Sequence, residues 1–417
     1  MRGRPNLYTS YASESRLFPT RTQQLAIGIG FILLLLMPFD LPVIDQIPLI
    51  RFLGDNAWLR VVNRMLIFCI ASLGLNILSG LGGQVSLGHA FFMGVGAYTA
   101  VLVGGPGSSN LWGWGLPIWI WLPASGVVAA LVGILVAPAA VRVRGLYLAI
   151  TTLGLVFIGL HLSRIFPEIA GPGSLGRKWP KLEVRIWKEE EPFLDFSRDG
   201  HWFWFDITDN QKTYYFLLAL LIIFALWAAN LARSRTGRAL AAIRDQDVAA
   251  EIMGVPEVKY KTIAFAISSF YAGVAGALLA SFAGQMPPEA WDLILSVEFV
   301  AILLIGGIGR ISGALAGTFF VVLSPRFVEE IIEWMTEQAE GDGAFSGMWD
   351  FFISLGHGDF GFVSINETAL GYPIPYSSLD EIIYGLLIVL FMLFEPLGLY
   401  GIWINIRNYW KGWPFSY

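Results

Sequence analysis

The chain has 417 residues, 55% of them hydrophobic and only 14% charged, with a mean hydropathy of +0.62 and a net charge of −5. A soluble domain carries about 25% charged residues, so this composition excludes an ordinary soluble globule and points to an all-α integral membrane protein. The single cysteine, Cys69, excludes a disulfide framework and a cysteine metal site, and no nucleic-acid partner is expected.

A helix crosses the hydrocarbon layer with about 20 largely apolar residues, and on that measure the chain predicts about ten transmembrane helices. Residues 1–22 form an N-terminal tail. The apolar run after it is read as an uncleaved span, because no small-x-small cleavage pattern follows Leu36 and Pro38 and Asp40 close it. Residues 23–167 hold helices 1–5, around Leu25, Leu66, Phe92, Val127 and Leu153. Residues 168–212, rich in charge, Trp and Pro, form an insertion outside the membrane. Residues 213–232 give helix 6 around Leu220, and 233–258 a short cytoplasmic helix. Residues 259–332 hold helices 7–9, around Ala272, Leu303 and Phe319. A second outer insertion covers 333–379, helix 10 covers 380–400 around Leu387, and 401–417 form a C-terminal tail. Small residues at helical spacing, Gly313 with Gly317 and Gly126 with Ala130, suit close helix packing.

Cytoplasmic loops carry an excess of Lys and Arg. Placing Arg2, Arg4, Arg16 and Arg21 inside also puts Arg142, Arg144, Arg233, Arg235, Arg238, Arg244, Lys259, Lys261, Arg310, Arg407 and Lys411 there. Apart from the segment Arg177 to Lys212, only Arg51, Arg60, Arg64, Arg164 and Arg326 then fall on the outer side. Both termini are therefore expected in the cytoplasm.

The segment Gly80-Leu-Gly-Gly-Gln-Val-Ser-Leu-Gly-His89 puts glycines and polar side chains where a span turns. Irregular backbone at membrane depth is tolerated only where it is buried in protein or lines a cavity. Gly82, Gly83, Gln84, Ser86 and His89 are thus candidates for bordering a solute route; the alternative is a tight turn whose polar groups satisfy backbone. Ser86 and His89, three apart, form a conceivable hydrolytic dyad, but no oriented base or oxyanion donors are evident. The pattern Leu78-x-Gly-x-x-Gly-x-Val-Ser returns as Leu304-x-Gly-x-x-Gly-x-Ile-Ser, and internal repeats are common in transporter folds. Gly307, Gly309 and Gly313 join two apolar spans and read as a packed turn, not as a nucleotide loop.

Residues 233–254 are too polar to cross a bilayer. Thr236 can cap a helix, Gly254 can end it and Pro256 follows. Leu240, Ile243, Val248 and Ile252 give one apolar side, while Ala241, Ala242, Ala249, Ala250 and Gly254 leave room for a partner groove. Arg238, Arg244, Asp245, Asp247 and Glu251 stay polar. Two readings remain open on these residues alone: a helix that docks on a soluble partner, or an amphipathic helix resting on lipid. The chain has no GxxxxGK[ST] loop and therefore cannot cradle a nucleotide as a P-loop does. His89, His161, His201 and His357 are scattered and no HExxH occurs, so no metal is expected.

Gly237-Arg-Ala-Leu-x-Ala-Ile-Arg-Asp with Ala249-Ala-Glu-x-Met-Gly resembles the cytoplasmic signature of ABC importer permeases for branched-chain amino acids. The likeness extends to Leu75-Asn-Ile-Leu-Ser-Gly through Gly94-x-Gly-Ala-Tyr98, to Ala264-Phe-x-Ile-Ser-Ser-Phe, and to Ile305-Gly-Gly-Ile-Gly-Arg-Ile-Ser-Gly. These blocks cover roughly residues 60 to 330; the two long outer segments depart from the family pattern. The resemblance implies a bacterial inner-membrane subunit with no enzymatic activity of its own. It implies two ABC ATPases that use ATP and Mg, a second related permease chain, and an extracytoplasmic solute-binding protein. Gly237, Arg238, Arg244, Asp245, Ala249, Ala250, Glu251 and Gly254 are the implied coupling residues. The implied cargo is leucine, isoleucine or valine, with urea or another small amide as the alternative. An ion-coupled secondary transporter would place ionisable groups deep in its spans, whereas Arg64, Glu298 and Glu395 are expected near span ends.

Overall fold

The computed structural model describes residues 21–38, 56–107, 111–143, 145–171, 177–185, 205–340 and 397–412, with short pieces between 192 and 202 and between 353 and 395. Residues 1–20 of the tail, most of the second expected insertion and part of the tenth expected span lie outside the described residues.

The long helices are α1 (Arg21–Leu36), α2 (Asn56–Leu75), α3 (His89–Gly104), α4 (Ile118–Arg142) and α5 (Leu146–Ile165). A single turn, α6 (Pro167–Ala170), precedes α7 (Asp209–Arg233), and the short α8 (Arg235–Asp245) and α9 (Asp247–Ile252) lead into α10 (Glu257–Ala283). The chain continues through α11 (Leu293–Gly306) and α12 (Ile311–Glu340) to α13 (Gly398–Gly412). α2 extends into a π-helical stretch, Asn76–Leu81.

Five helices among the described residues are long and apolar enough to span a membrane: α2 with its π extension, and most or all of α4, α5, α7 and α10. The pair α11 and α12 adds a sixth if counted as one, because its members meet at a bend of 118°. The sequence places separate spans at Leu303 and Phe319, and the structure turns the chain sharply between them. α11 has 14 residues, about 21 Å at 1.5 Å per residue, and cannot reach across a hydrocarbon core of about 30 Å. α3, at 16 residues, is also short. The count of ten therefore remains an expectation. α7 begins at Asp209, four residues before the sequence boundary, because Thr208 and Gln211 form a capping box.

Two helices make the centre. The apolar stretches of α2 and α10 are 89% and 78% buried, against 22% for α5 and α7, so the first pair is core and the others present an open face. α10 can be central because its small residues admit neighbouring backbones. Gly276 lies against the Met93 backbone of α3, Gly273 against Ser125 and Gly126 of α4, and neither site has room for a Cβ. Gly313 and Gly317 likewise bring α12 onto Gly306 and Ile302 of α11.

Buried polar groups tie the helices together. Tyr271 Oη donates to Phe224 O at 2.9 Å, and Thr318 Oγ1 to Ser72 Oγ at 2.8 Å. Asn63 Nδ2 donates to Asn210 O at 3.0 Å, linking α2 to α7.

At one end of the bundle the first insertion folds back. Its described parts pair only as short strands, β1 (Arg177–Lys178) running antiparallel to a later strand at Gln285–Met286. Arg177 is 3% exposed. Its Nη1 donates to Trp112 O at 2.8 Å and, more weakly, to Glu168 O and Ile169 O at 3.4 and 3.3 Å, while Nη2 reaches Pro106 O at 3.4 Å. One guanidinium thus gathers the loop after α3 and the chain around α6. Burial pushes its pKa below the ordinary arginine value.

Candidate coupling and translocation site

The two Gly-rich repeats meet in space at the opposite end. The first lies on the π-helical stretch and the turn after it. Gly82 closes the stretch, and Gly83 adopts φ of +66°, which glycine takes without strain. Gln84 N then donates back to Leu78 O at 3.2 Å, and Ser79 Oγ to Gln84 O at 2.9 Å. The second repeat forms the bend between α11 and α12, where Gly307 and Gly309 have φ of +108° and +84°. Gly309 N donates to Asn76 Oδ1 at 2.8 Å. A Cβ on Gly80 would stand 2.6 Å from Gly309 N and 2.7 Å from its Cα, so the backbones touch because both positions are glycine.

The polar segment 233–258 closes over this junction. It is two helices, not the single one expected from Thr236 to Gly254. α7 ends at Ser234, whose hydroxyl accepts from Gly237 N at 3.3 Å and so caps α8 one turn before the full apolar phase begins. Gln246, extended at φ −158°, separates α8 from α9. Gly254, at φ +83°, ends α9 and lets Val255 N reach Ala250 O at 3.0 Å.

The break at Gln246 resets which side chains face inward. Gly237, Ala239, Leu240 and Ile243 of α8 are buried, as is Ala250 of α9. Val248, Ile252 and Met253 are 58%, 80% and 85% exposed. The expected single apolar side is therefore divided, with Leu240 and Ile243 inward and Val248 and Ile252 outward. Of the predicted coupling residues, Arg238, Ala249, Glu251 and Gly254 are exposed, whereas Gly237 and Ala250 pack within the chain's own bundle and are not open to a partner. Met253, the most exposed apolar side chain of the segment, was not among them; its place beside the terminating Gly254 was the available signal.

Arg244 turns back toward the spans. Its Nη1 donates to Gly80 O at 2.9 Å, and its Nε and Nη2 both donate to Asp245 Oδ1 at 3.0 Å. A Cβ on Gly83 would stand 2.6 Å from Arg244 Cγ. One side chain of α8 thus holds the first Gly-rich turn, which in turn touches the second.

Between these parts lies a polar cavity of about 240 Å³, bordered by Gly82, Gly83, Gln84, Arg244, Asp245 and Lys261. Gln84 is 4% exposed, and neither side-chain amide atom has a hydrogen-bond partner among the described residues. Buried polar groups are normally paired, so Gln84 is the residue of the turn with capacity left for a solute or water. The structure does not bring Ser86 and His89 to this cavity. Ser86 Oγ accepts from Gly88 N at 3.3 Å. His89 Nε2 pairs with Ala71 O at 3.0 Å and its ring packs on Phe299. Both satisfy the chain's own polar groups, and neither is bonded to the other. Glu298 lies inside α11, not at its end.

Comparison with known proteins places these features in a family. Residues 57–392 match the family described as branched-chain amino acid transport system / permease component. The chain is 31% identical over 295 residues to the high-affinity branched-chain amino acid transport system permease protein LivM of Salmonella typhimurium. The match takes in 68% of this chain and 66% of that protein. The LivM protein of Escherichia coli matches to the same extent. The chain thus spans 66% of the length of these relatives. No solved structure matches it.

Proposed function

This chain belongs to the branched-chain amino acid permease family, and from that premise we propose that it is the membrane-embedded subunit of an ATP-driven importer for leucine, isoleucine and valine. ATP, with Mg, is hydrolysed on two separate ATPase subunits, since this sequence has no P-loop. A second, related permease chain completes the pathway, and an extracytoplasmic solute-binding protein delivers the cargo. The subunit sits in a bacterial inner membrane with both termini and α8–α9 in the cytoplasm.

The observation that carries this reading is Arg244. It lies on a surface segment whose exposed Val248, Ile252 and Met253 suit docking on an ATPase, and it bonds directly to the turn that joins two spans. Movement of α8 on ATP binding pulls Gly80, and Gly80 cannot move without Gly309. The two turns then shift together and change access to the cavity at Gln84. The coupling residues divide by place in this scheme. Arg238, Asp245, Ala249, Glu251 and Gly254 border the docked partner, Arg244 transmits its motion, and Gly237 and Ala250 seat the helices.

The test is uptake of radiolabelled leucine by cells expressing the complete importer, with and without urea or acetamide as competitor. Uptake that survives an ionophore and disappears with an ATPase-dead partner supports the proposal. Uptake abolished by the ionophore alone sinks it.

A further inference from the structure

A second cavity stands at the end of the bundle away from the Gly-rich turns. It is a cleft of about 300 Å³ between α3, α5 and the turn Pro288–Trp291, and its wall is almost wholly apolar, with Phe91, Val95, Leu102, Val156 and Leu160 contributing. Small-molecule sites have this character, a concave apolar surface with a few polar groups that set orientation. Trp291, 4% exposed, lines the cleft, and its Nε1 has no hydrogen-bond partner among the described residues.

Charge of both signs flanks the cleft. Ser163 and Pro288 line it, and the residues next to them in sequence, Arg164 and Glu289, form an ion pair at 3.1 Å with side chains 64% and 51% exposed. Glu289 also acts electrostatically on Tyr98, another lining residue. Exposed pairs of this kind add little to stability, so Arg164 and Glu289 can separate readily around a ligand that offers each a new partner.

We propose that this cleft is a site for an aliphatic amino acid in transit, with the branched side chain against the apolar wall, the α-carboxylate on Arg164 and the α-ammonium on Glu289. The planar guanidinium matches a carboxylate bidentately, and the Trp291 indole N–H supplies one further donor. A lipid acyl chain would have use for the wall but not for the adjacent pair of charges, and a sugar would find almost no polar wall to bond. The inference rests on the reading that the cargo is an aliphatic amino acid, and it deepens that reading by naming where this chain holds it.

Binding of tritiated leucine to the full chain, purified with its partner subunits in nanodiscs and without the solute-binding protein, tests the site. Competition by 4-methylpentanoate, which lacks the ammonium, and by 3-methylbutylamine, which lacks the carboxylate, should each be about tenfold weaker than by leucine. Arg164→Gln and Glu289→Gln should each weaken leucine about tenfold, and Ser163→Phe, which fills the cleft, should abolish binding. If Ser163→Phe fails to insert, the two charge variants still decide, because both positions are exposed and outside the packed core. Leucine binding that is unchanged in both charge variants, or matched by either truncated analogue, overturns the site. So does a wild-type importer that transports leucine while showing no leucine binding here, and in that event the importer function stands. A wild-type importer that carries no leucine, isoleucine or valine instead overturns the function proposed above, and this site with it.

Discussion

Arg177 and Arg244 hold backbone carbonyls at opposite ends of the bundle, and they do so in opposite styles. Arg177 is almost fully buried and gathers four carbonyls from chain segments around α3 and α6. Arg244, with a side chain 41% exposed, holds a single carbonyl and shares its remaining donors with its neighbour Asp245. The first arrangement is costly to open, since each stranded carbonyl forfeits about 1–3 kcal/mol. The second can let go and re-form, because water and Asp245 stand ready to replace the lost partner. In the importer proposed above, the Arg177 end would act as a fixed frame and the Arg244 end as a contact that can release. The two arginines supply that contrast from the same chemistry by differing only in burial and in number of partners.

The comparison can be broken at either arginine. Arg177→Ala should have the largest effect, lowering stability by about 3 kcal/mol through unpaired carbonyls. The check is denaturation of the purified chain in detergent, and a shift below about 1 kcal/mol would show that the clasp is decorative. Next, Met253→Glu together with Ile252→Glu should leave membrane insertion intact while weakening co-purification of the ATPase. A charge stranded in that contact costs about 2–5 kcal/mol, or roughly 30-fold in affinity and above. Ala250→Glu is a poorer test of docking, because Ala250 is buried within this chain and its replacement disturbs folding first. Arg244→Gln should then lower leucine uptake about tenfold at nearly unchanged stability, as expected for loss of one charge-assisted bond at a half-exposed site. Equal uptake in that variant would remove Arg244 from the coupling path. The smallest effect belongs to Glu298→Gln, which should leave ATP-driven uptake within about twofold, whereas an ion-coupled carrier would lose transport with its intramembrane carboxylate.

Hydropathy made the long helices legible because a spanning helix must be apolar over its whole length. It does not reveal where a helix bends: α11 is apolar throughout but stops at Gly306, and the chain turns by 118° into α12. The glycine repeat was visible in sequence, and its members proved to be contacting backbones. That contact was beyond reach, since glycine at residues 80 and 309 says only that something comes close. The expected single helix of the segment 233–254 fails at one residue. Gln246 carries no breaker signal of the kind Gly or Pro gives, yet its extended backbone splits the helix and turns Val248 and Ile252 outward. Arg244 is half-exposed, and its length also lets the guanidinium reach back to Gly80, a contact that the sequence does not reveal.

The π-helical stretch at Asn76–Leu81 has a consequence for how the length of this chain can vary. A π turn holds extra backbone that an α turn would exclude, so these six residues amount to a retained insertion. Deleting any one of them would let α2 revert to α geometry and remove the widened turn that sets Asn76 and Gly80 against Gly309 and Arg244, without altering the number of spans. Insertions and deletions among the short strands would leave that turn untouched. Homologous lineages should therefore drift freely in loop length at the Arg177 end, while a single-residue deletion between 76 and 81 breaks the junction between the two turns.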